Sequence, residues 1–216
     1  MTDPSSPRDP LAHPEPVPAT PGQRRAPVPK QKKPPRYRVP PREQRHGLLL
    51  VHTGDGKGKS TAALGILLRA TGRGMRVGMF QFIKGADQAY GEHVAARRLG
   101  VEIIPLGDGF TWLSENIEAD RALAAAGWAQ CRSAIAAETY DVLILDELTY
   151  PLAFGWLDEA EVLATIASRA RGTHVVVTGR NATPGLVAAA DLVTEMTLVK
   201  HPYRDQGIGA QPGLEL

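Results

Sequence analysis

Several things are scarce in this sequence, and each scarcity excludes something. A single cysteine, Cys131, stands among 216 residues, so no intramolecular disulfide can form. That fits a reducing compartment, and Cys131 itself reads as a small apolar residue on a helix. No apolar run approaches the roughly 18 residues that a membrane span needs. The first residues carry no apolar core of a secretory signal. These absences point to the cytoplasm and away from a membrane. Charge of one sign is scarce too: the net charge is +2, too small to imply a nucleic-acid partner by itself. The six histidines are scattered, His13 and His46 near the N-terminus and His52, His93, His174 and His201 singly beyond, so no histidine cluster announces a metal site.

Proline is plentiful but confined. Residues 1–46 hold 13 of the 18 prolines, and 10 Lys/Arg against 4 Asp/Glu. This segment is net +6 in a chain of net +2, so the remainder is net −4. Such a composition buries too little apolar surface to offset the entropy of ordering. Residues 1–46 are therefore expected to be a basic, proline-rich tail, and 47–216 the folded domain. The run "KQKKPPRYR" could touch nucleic acid or an acidic partner, but a solubilising role is the simpler reading.

From Gly47 the pattern changes. "GLLLVHT", "RVGMFQF", "VEIIPL", "DVLILDE", "THVVVTG" and "LVTEMTLV" read as six strands. Between them "STAALGILLRAT", "IEADRALAAAGWAQCRSAIAAE", "DEAEVLATIASRA" and "PGLVAAA" read as helices, with Asp158 a candidate N-cap and Pro184 a helix start. This alternation predicts an α/β fold, a mostly parallel six-stranded sheet with helices on both faces.

The chemistry concentrates in "VHTGDGKGKSTAALG", Val51 to Gly65. The phosphate-loop pattern G-x-x-x-x-G-K-[ST] requires a strand, a glycine-rich loop of inward backbone N–H groups, and a helix N-terminus. All three are expected here, but the first glycine is displaced, with Thr53 in its place and Gly54 next. Gly54, Asp55, Gly56, Lys57, Gly58, Lys59, Ser60 and Thr61 form the candidate nucleotide-binding set. Lys59 is the phosphate lysine and Ser60 the Mg²⁺ ligand. "DVLILDE" adds Asp146 and Glu147 at a strand's carboxyl end, where ligands gather in parallel sheets and where a carboxylate can share the metal with Ser60. The glycine spacing does not make a dinucleotide fingerprint. The residues thus define a Mg-nucleotide-binding P-loop domain, and leave open which bond is broken.

"TGDGKGKSTAALG" closely resembles the "TGNGKGKTTAA" loop of the P-loop corrinoid adenosyltransferases, a family with the same displaced glycine. The resemblance continues through "QFIKG" (Gln81–Gly85), "GFTW" (Gly109–Trp112), "LDELTYPLAFGWL" (Leu145–Leu157), "VVVTGRNA" (Val175–Ala182) and "VKHPYRDQGIGAQPGLE" (Val199–Glu215). Asp55 stands for the usual Asn and Ser60 for Thr, and the tail does not match the family's helical N-terminal segment. The resemblance implies a P-loop NTPase (RecA-like) fold and transfer of the 5′-deoxyadenosyl group of ATP to Co(I) of a corrinoid, with release of triphosphate. It implies ATP and Mg²⁺, or Mn²⁺, as the reacting nucleotide and ion, a flavoprotein electron donor, and a homodimer. Phe110 and Trp112 would lie against the corrin ring and displace its lower axial ligand. Arg69 and Arg180 are candidate phosphate contacts, since a guanidinium fork suits phosphate oxygens. The alternatives are a P-loop kinase or ATPase, for which no acceptor-activating residue is evident, a non-catalytic carrier of nucleotide and corrinoid, and a nucleic-acid-stimulated ATPase using the tail.

Overall fold

A computed structural model describes residues 44–85, 90–107, 109 and 117–215. Six strands make one sheet: β1 (Leu49–Thr53), β2 (Val77–Gln81), β3 (Glu102–Pro105), β4 (Val142–Asp146), β5 (His174–Thr178) and β6 (Leu192–Glu195). Their order is β3-β2-β4-β5-β1-β6, and every pairing is parallel. The loop-bearing strand β1 is thus separated from the acid-bearing strand β4 by β5.

Parallel strands covered on both faces must be apolar throughout, and β2 and β4 are buried at every position. Successive side chains of β4 enter opposite layers, because a strand alternates its faces. Val142 and Ile144 join Ala63, Leu67 and Ala70 of α1 (Lys59–Thr71) and Ala96 of α2 (Gly91–Arg98). Leu143 and Leu145 join Trp128, Cys131 and Ile135 of α3 (Ile117–Ala136), Val162 and Ile166 of α5 (Glu159–Ala167), and Leu186 of α6 (Pro184–Ala189). Emptying either layer at one of these positions, by Leu143→Ala or Ile144→Ala, is expected to cost about 2–5 kcal/mol.

The helix ends follow the expected chemistry. Asp158 caps α5 by accepting from the backbone N–H groups of Ala160 and Glu161, and Thr183 caps α6 ahead of Pro184. Three elements were not expected from the sequence: α2, α4 (Thr149–Ala153) and α7 (Pro202–Gln206). Two of them span five residues, and α2 buries only Ala96, so none carries a long apolar stripe. The last strand is also shorter than expected and stops at Glu195. Proline-rich residues 1–43 lie outside the described residues. No helix among the described residues is long and apolar enough to cross a membrane.

Candidate active site

The displaced glycine has a physical reason. Thr53 is still a strand residue, paired with Glu195 of β6, and its hydroxyl accepts from the N–H of Ala182. The turn begins one place later, at Gly54, whose φ of 93° is a left-handed conformation. The loop then runs hard against the end of β6. A Cβ on Gly54 would stand 2.5 Å from the Met196 carbonyl oxygen and one on Gly56 2.7 Å from the same atom. The N–H of Gly56 donates to that carbonyl at 2.7 Å. Gly58, φ 110°, turns the chain into α1. The N–H groups of the first turn of α1 have no partner within the helix, so the loop ends on an electropositive helix terminus.

Lys59 is 7% exposed and donates from Nζ to the carbonyls of Gly54 and Gly56, each at 2.8 Å. Its ammonium is therefore held over the loop. Burial lowers its pKa and the charge of Arg180 lowers it further, while Glu147, Asp55 and Asp146 oppose. Ser60 sits half-buried in the first turn of α1, next to the exposed Thr61. Asp55 is exposed on the loop. Lys57 points elsewhere, pairing with Glu215 at 3.1 Å.

The carboxylates after β4 differ sharply from each other. Asp146 is buried and engaged on both oxygens: Thr178 Oγ1 donates to Oδ1 at 2.6 Å and Gln81 Nε2 donates to Oδ2 at 3.1 Å. Glu147 leaves the strand at φ 62°, and its N–H donates to Thr178 Oγ1 at 2.9 Å. Its Oε2 is buried with no hydrogen-bond partner among the described residues, as is Thr149 Oγ1. Burial pushes the Glu147 carboxyl up to about 7, and neighbouring Asp146 adds to the rise. Gly179 makes this approach possible. A Cβ there would lie 1.9 Å from Thr149 Oγ1 and 3.1 Å from Glu147 Oε2.

The site therefore gathers Gly54, Asp55, Gly56, Gly58, Lys59 and Ser60 from one side and Asp146, Glu147 and Arg180 from the other. Arg180 is exposed, yet its charge acts on Lys59, Glu147 and Tyr150. Arg69 is not gathered. It lies exposed in the last turn of α1, about 15 Å from Lys59 at a rise of about 1.5 Å per residue. The length of α1 thus sets Arg69 apart from the loop of its own chain. Phe110 and Trp112 lie outside the described residues.

A hydroxyl and carboxylates make an all-oxygen donor set, which suits a hard dication such as Mg²⁺. The buried, unpaired Oε2 of Glu147 is the observation that favours such an ion, because a carboxylate oxygen so placed needs a positive partner. Three neighbours of this set carried no role in the sequence. Gln81 and Thr178 hold Asp146, and His93 of α2 reaches Gln81. A buried polar residue at the last position of an apolar strand was the available signal.

The profile of the family described as ATP:corrinoid adenosyltransferase BtuR/CobO/CobP matches residues 45–216. A protein named corrinoid adenosyltransferase from Pseudomonas aeruginosa is 47% identical over 171 residues, 78% of this chain and 83% of that protein. Corrinoid adenosyltransferase CobA of Salmonella typhimurium is 39% identical over 178 residues, 82% of this chain and 90% of that one. The Escherichia coli K12 corrinoid adenosyltransferase is 38% identical with the same coverage.

Proposed function

The chain belongs to the ATP:corrinoid adenosyltransferase family, and on that premise we propose that it transfers the 5′-deoxyadenosyl group of ATP to Co(I) of a corrinoid in adenosylcobalamin biosynthesis. The electron pair of Co(I) forms the bond to C5′ as the C5′–O5′ bond breaks. Cobalt is oxidised to Co(III), and the intact triphosphate leaves with the bonding pair.

The observation that carries this reading is the loop itself. Negative charge grows on the departing triphosphate, and the site meets it with fixed donors. The Lys59 ammonium is already held at the loop by two carbonyls. Glycine backbone and the N-terminus of α1 surround it. Donors arranged beforehand need no reorganisation as charge develops, which is what makes such sites effective. Arg180 adds a cation from the opposite side. No protein nucleophile is required, since the attacking pair belongs to cobalt.

Ser60 and Glu147 would hold a Mg²⁺ ion, with Asp146 beside them; Mn²⁺ suits the same oxygens. Bound there, the ion supplies Lewis-acid neutralisation of the triphosphate. Phe110 and Trp112 are assigned to the corrin ring, where a flat indole covers one face and keeps a lower axial donor away. Cobalt without that donor accepts an electron more readily, so a flavoprotein is the proposed reductant. The proposed assembly is a homodimer in the reducing cytoplasm, in keeping with a lone, buried Cys131. The basic tail is proposed to be dispensable for the chemistry.

The test is anaerobic. Protein, Mg-ATP and chemically reduced corrinoid should yield a light-sensitive alkylcorrinoid. Binding of both substrates without a cobalt–carbon product would identify a carrier instead.

A further inference from the structure

We propose that His93 is a positioning residue for this reaction: through Gln81 it fixes the amide that holds Asp146, and so sets how that carboxylate faces the Mg-nucleotide. The identity of the ligand rests on the function proposed above; the relay rests on the geometry.

His93 Nε2 lies 2.6 Å from Gln81 Oε1, and Gln81 Nε2 lies 3.1 Å from Asp146 Oδ2. Gln81 and Asp146 are both buried, on paired positions of neighbouring strands. A carboxylate can only accept, so Gln81 must turn its NH₂ to Asp146 and its carbonyl to His93. His93 must then carry its hydrogen on Nε2. The direction of every bond follows, from His93 Nε2–H to Gln81 Oε1 and from Gln81 Nε2–H to Asp146 Oδ2. Thr178 closes the other side of the carboxylate from Oγ1 at 2.6 Å.

The two ends of an amide have nearly the same shape. Packing alone therefore does not decide which end faces Asp146; the acceptor-only carboxylate selects the NH₂ end, and the donor on His93 holds the other end in line. Without that donor the buried Oε1 loses its partner, the amide is anchored at one end only, and its hold on Oδ2 of Asp146 loosens.

The imidazole is itself held. The Tyr90 ring meets it edge-on, with centroids 5.3 Å apart. One residue before His93, Glu92 pairs with Lys84, whose ammonium stands 4.3 Å from the Tyr90 ring centre. The segment after β2 and the start of α2 are thus fastened twice, and both links keep His93 in line with Gln81. Lys84 is also close enough for its charge to act on Glu147.

The test uses the full-length protein and three variants. His93→Gln keeps an N–H donor at similar reach, His93→Leu keeps volume without a donor, and Gln81→Met keeps shape without the amide. Calorimetry gives the Kd of ATP with Mg²⁺ and with EDTA. His93→Leu and Gln81→Met should each lose about tenfold of the gain in affinity that Mg²⁺ brings, with Kd in EDTA within about twofold of wild type. His93→Gln should keep most of the gain. The double variant His93→Leu/Gln81→Met should lose no more than either single one, because both cut the same chain. In the anaerobic assay, the Mg²⁺ concentration for half-maximal rate should rise in His93→Leu, with kcat at saturating Mg²⁺ within about threefold of wild type. A wild-type Mg²⁺ gain in His93→Leu, an equal loss in His93→Gln, additive losses in the double variant, or weakened binding in EDTA would each overturn the proposal. If the wild type makes no alkylcorrinoid while the binding pattern holds, the relay stands and the adenosyltransferase reading fails.

Discussion

The loop after β1 and the end of β4 face the same site but are built by opposite means. The loop is shaped by backbone. Gly54 and Gly56 pass where a Cβ would strike Met196, and the charge comes from one lysine resting on two carbonyls. The end of β4 is shaped by side chains. Thr178 and Gln81 grip Asp146, and Thr178 also receives the N–H of Glu147. The loop supplies donors for an anion and the strand end supplies acceptors for a cation, so together they suit a metal-bound polyphosphate. The difference also predicts how each region fails. The loop should fail through a single charge, and the strand end by degrees.

Removing that charge should have the largest effect. Lys59→Ala is expected to cost on the order of 3 kcal/mol in the barrier, more than a hundredfold in turnover. The fold should survive, because among the described residues Lys59 bonds only to its own loop. Steady-state rates alongside a thermal melt check both halves of that statement.

Glu147→Gln sharpens the other side through pH. The carboxyl sits at about 7 against an ordinary 4.5, with burial as the first cause. A carboxyl raised on folding contributes stability that is complete below its unfolded value and is lost as pH rises through its folded one. The full shift corresponds to about 3 kcal/mol. Without nucleotide and metal, wild type and Glu147→Gln should unfold alike near pH 4, below the ordinary value of 4.5, and the variant should be the more stable at pH 8. Denaturant melts at the two pH values read this directly. The same variant should need more Mg²⁺ for activity, so what it gains in stability it loses in function.

Thr178→Val should be milder, about 2 kcal/mol of stability, since it leaves a carboxylate oxygen and the Glu147 N–H short of a partner. Equilibrium unfolding measures it. Arg69→Ala should do least, leaving turnover within about twofold, because the residue is exposed at the far end of α1. A tenfold loss would show that Arg69 reaches a site by some route other than its own loop.

These contrasts explain what could be read in the sequence. The sheet was legible because Val142–Leu145 and Val175–Val177 are unbroken apolar runs, buried on both faces. The loop was legible because glycines, Lys59 and Ser60 stand at fixed spacing between a strand and a helix. Backbone-built chemistry leaves a local pattern of this kind. Side-chain-built chemistry does not, since Gln81 and Asp146 are 65 residues apart and meet only through the register of β2 with β4. His93 read as an isolated histidine for the same reason, on a polar helix whose one buried residue is Ala96. Arg69 was harder to place, because arginine's chemistry says nothing of which end of a helix it occupies. Phe110 and Trp112 lie outside the described residues, so their assignment stands on the family likeness.

If the loop stabilises a departing triphosphate, phosphorus NMR of an anaerobic reaction with Mg-ATP and chemically reduced corrinoid will show it. One intact triphosphate should appear for each cobalt–carbon bond formed, and Lys59→Ala should suppress both together. ADP and orthophosphate accumulating in place of triphosphate would contradict it and make this loop the site of an ordinary phosphoryl transfer.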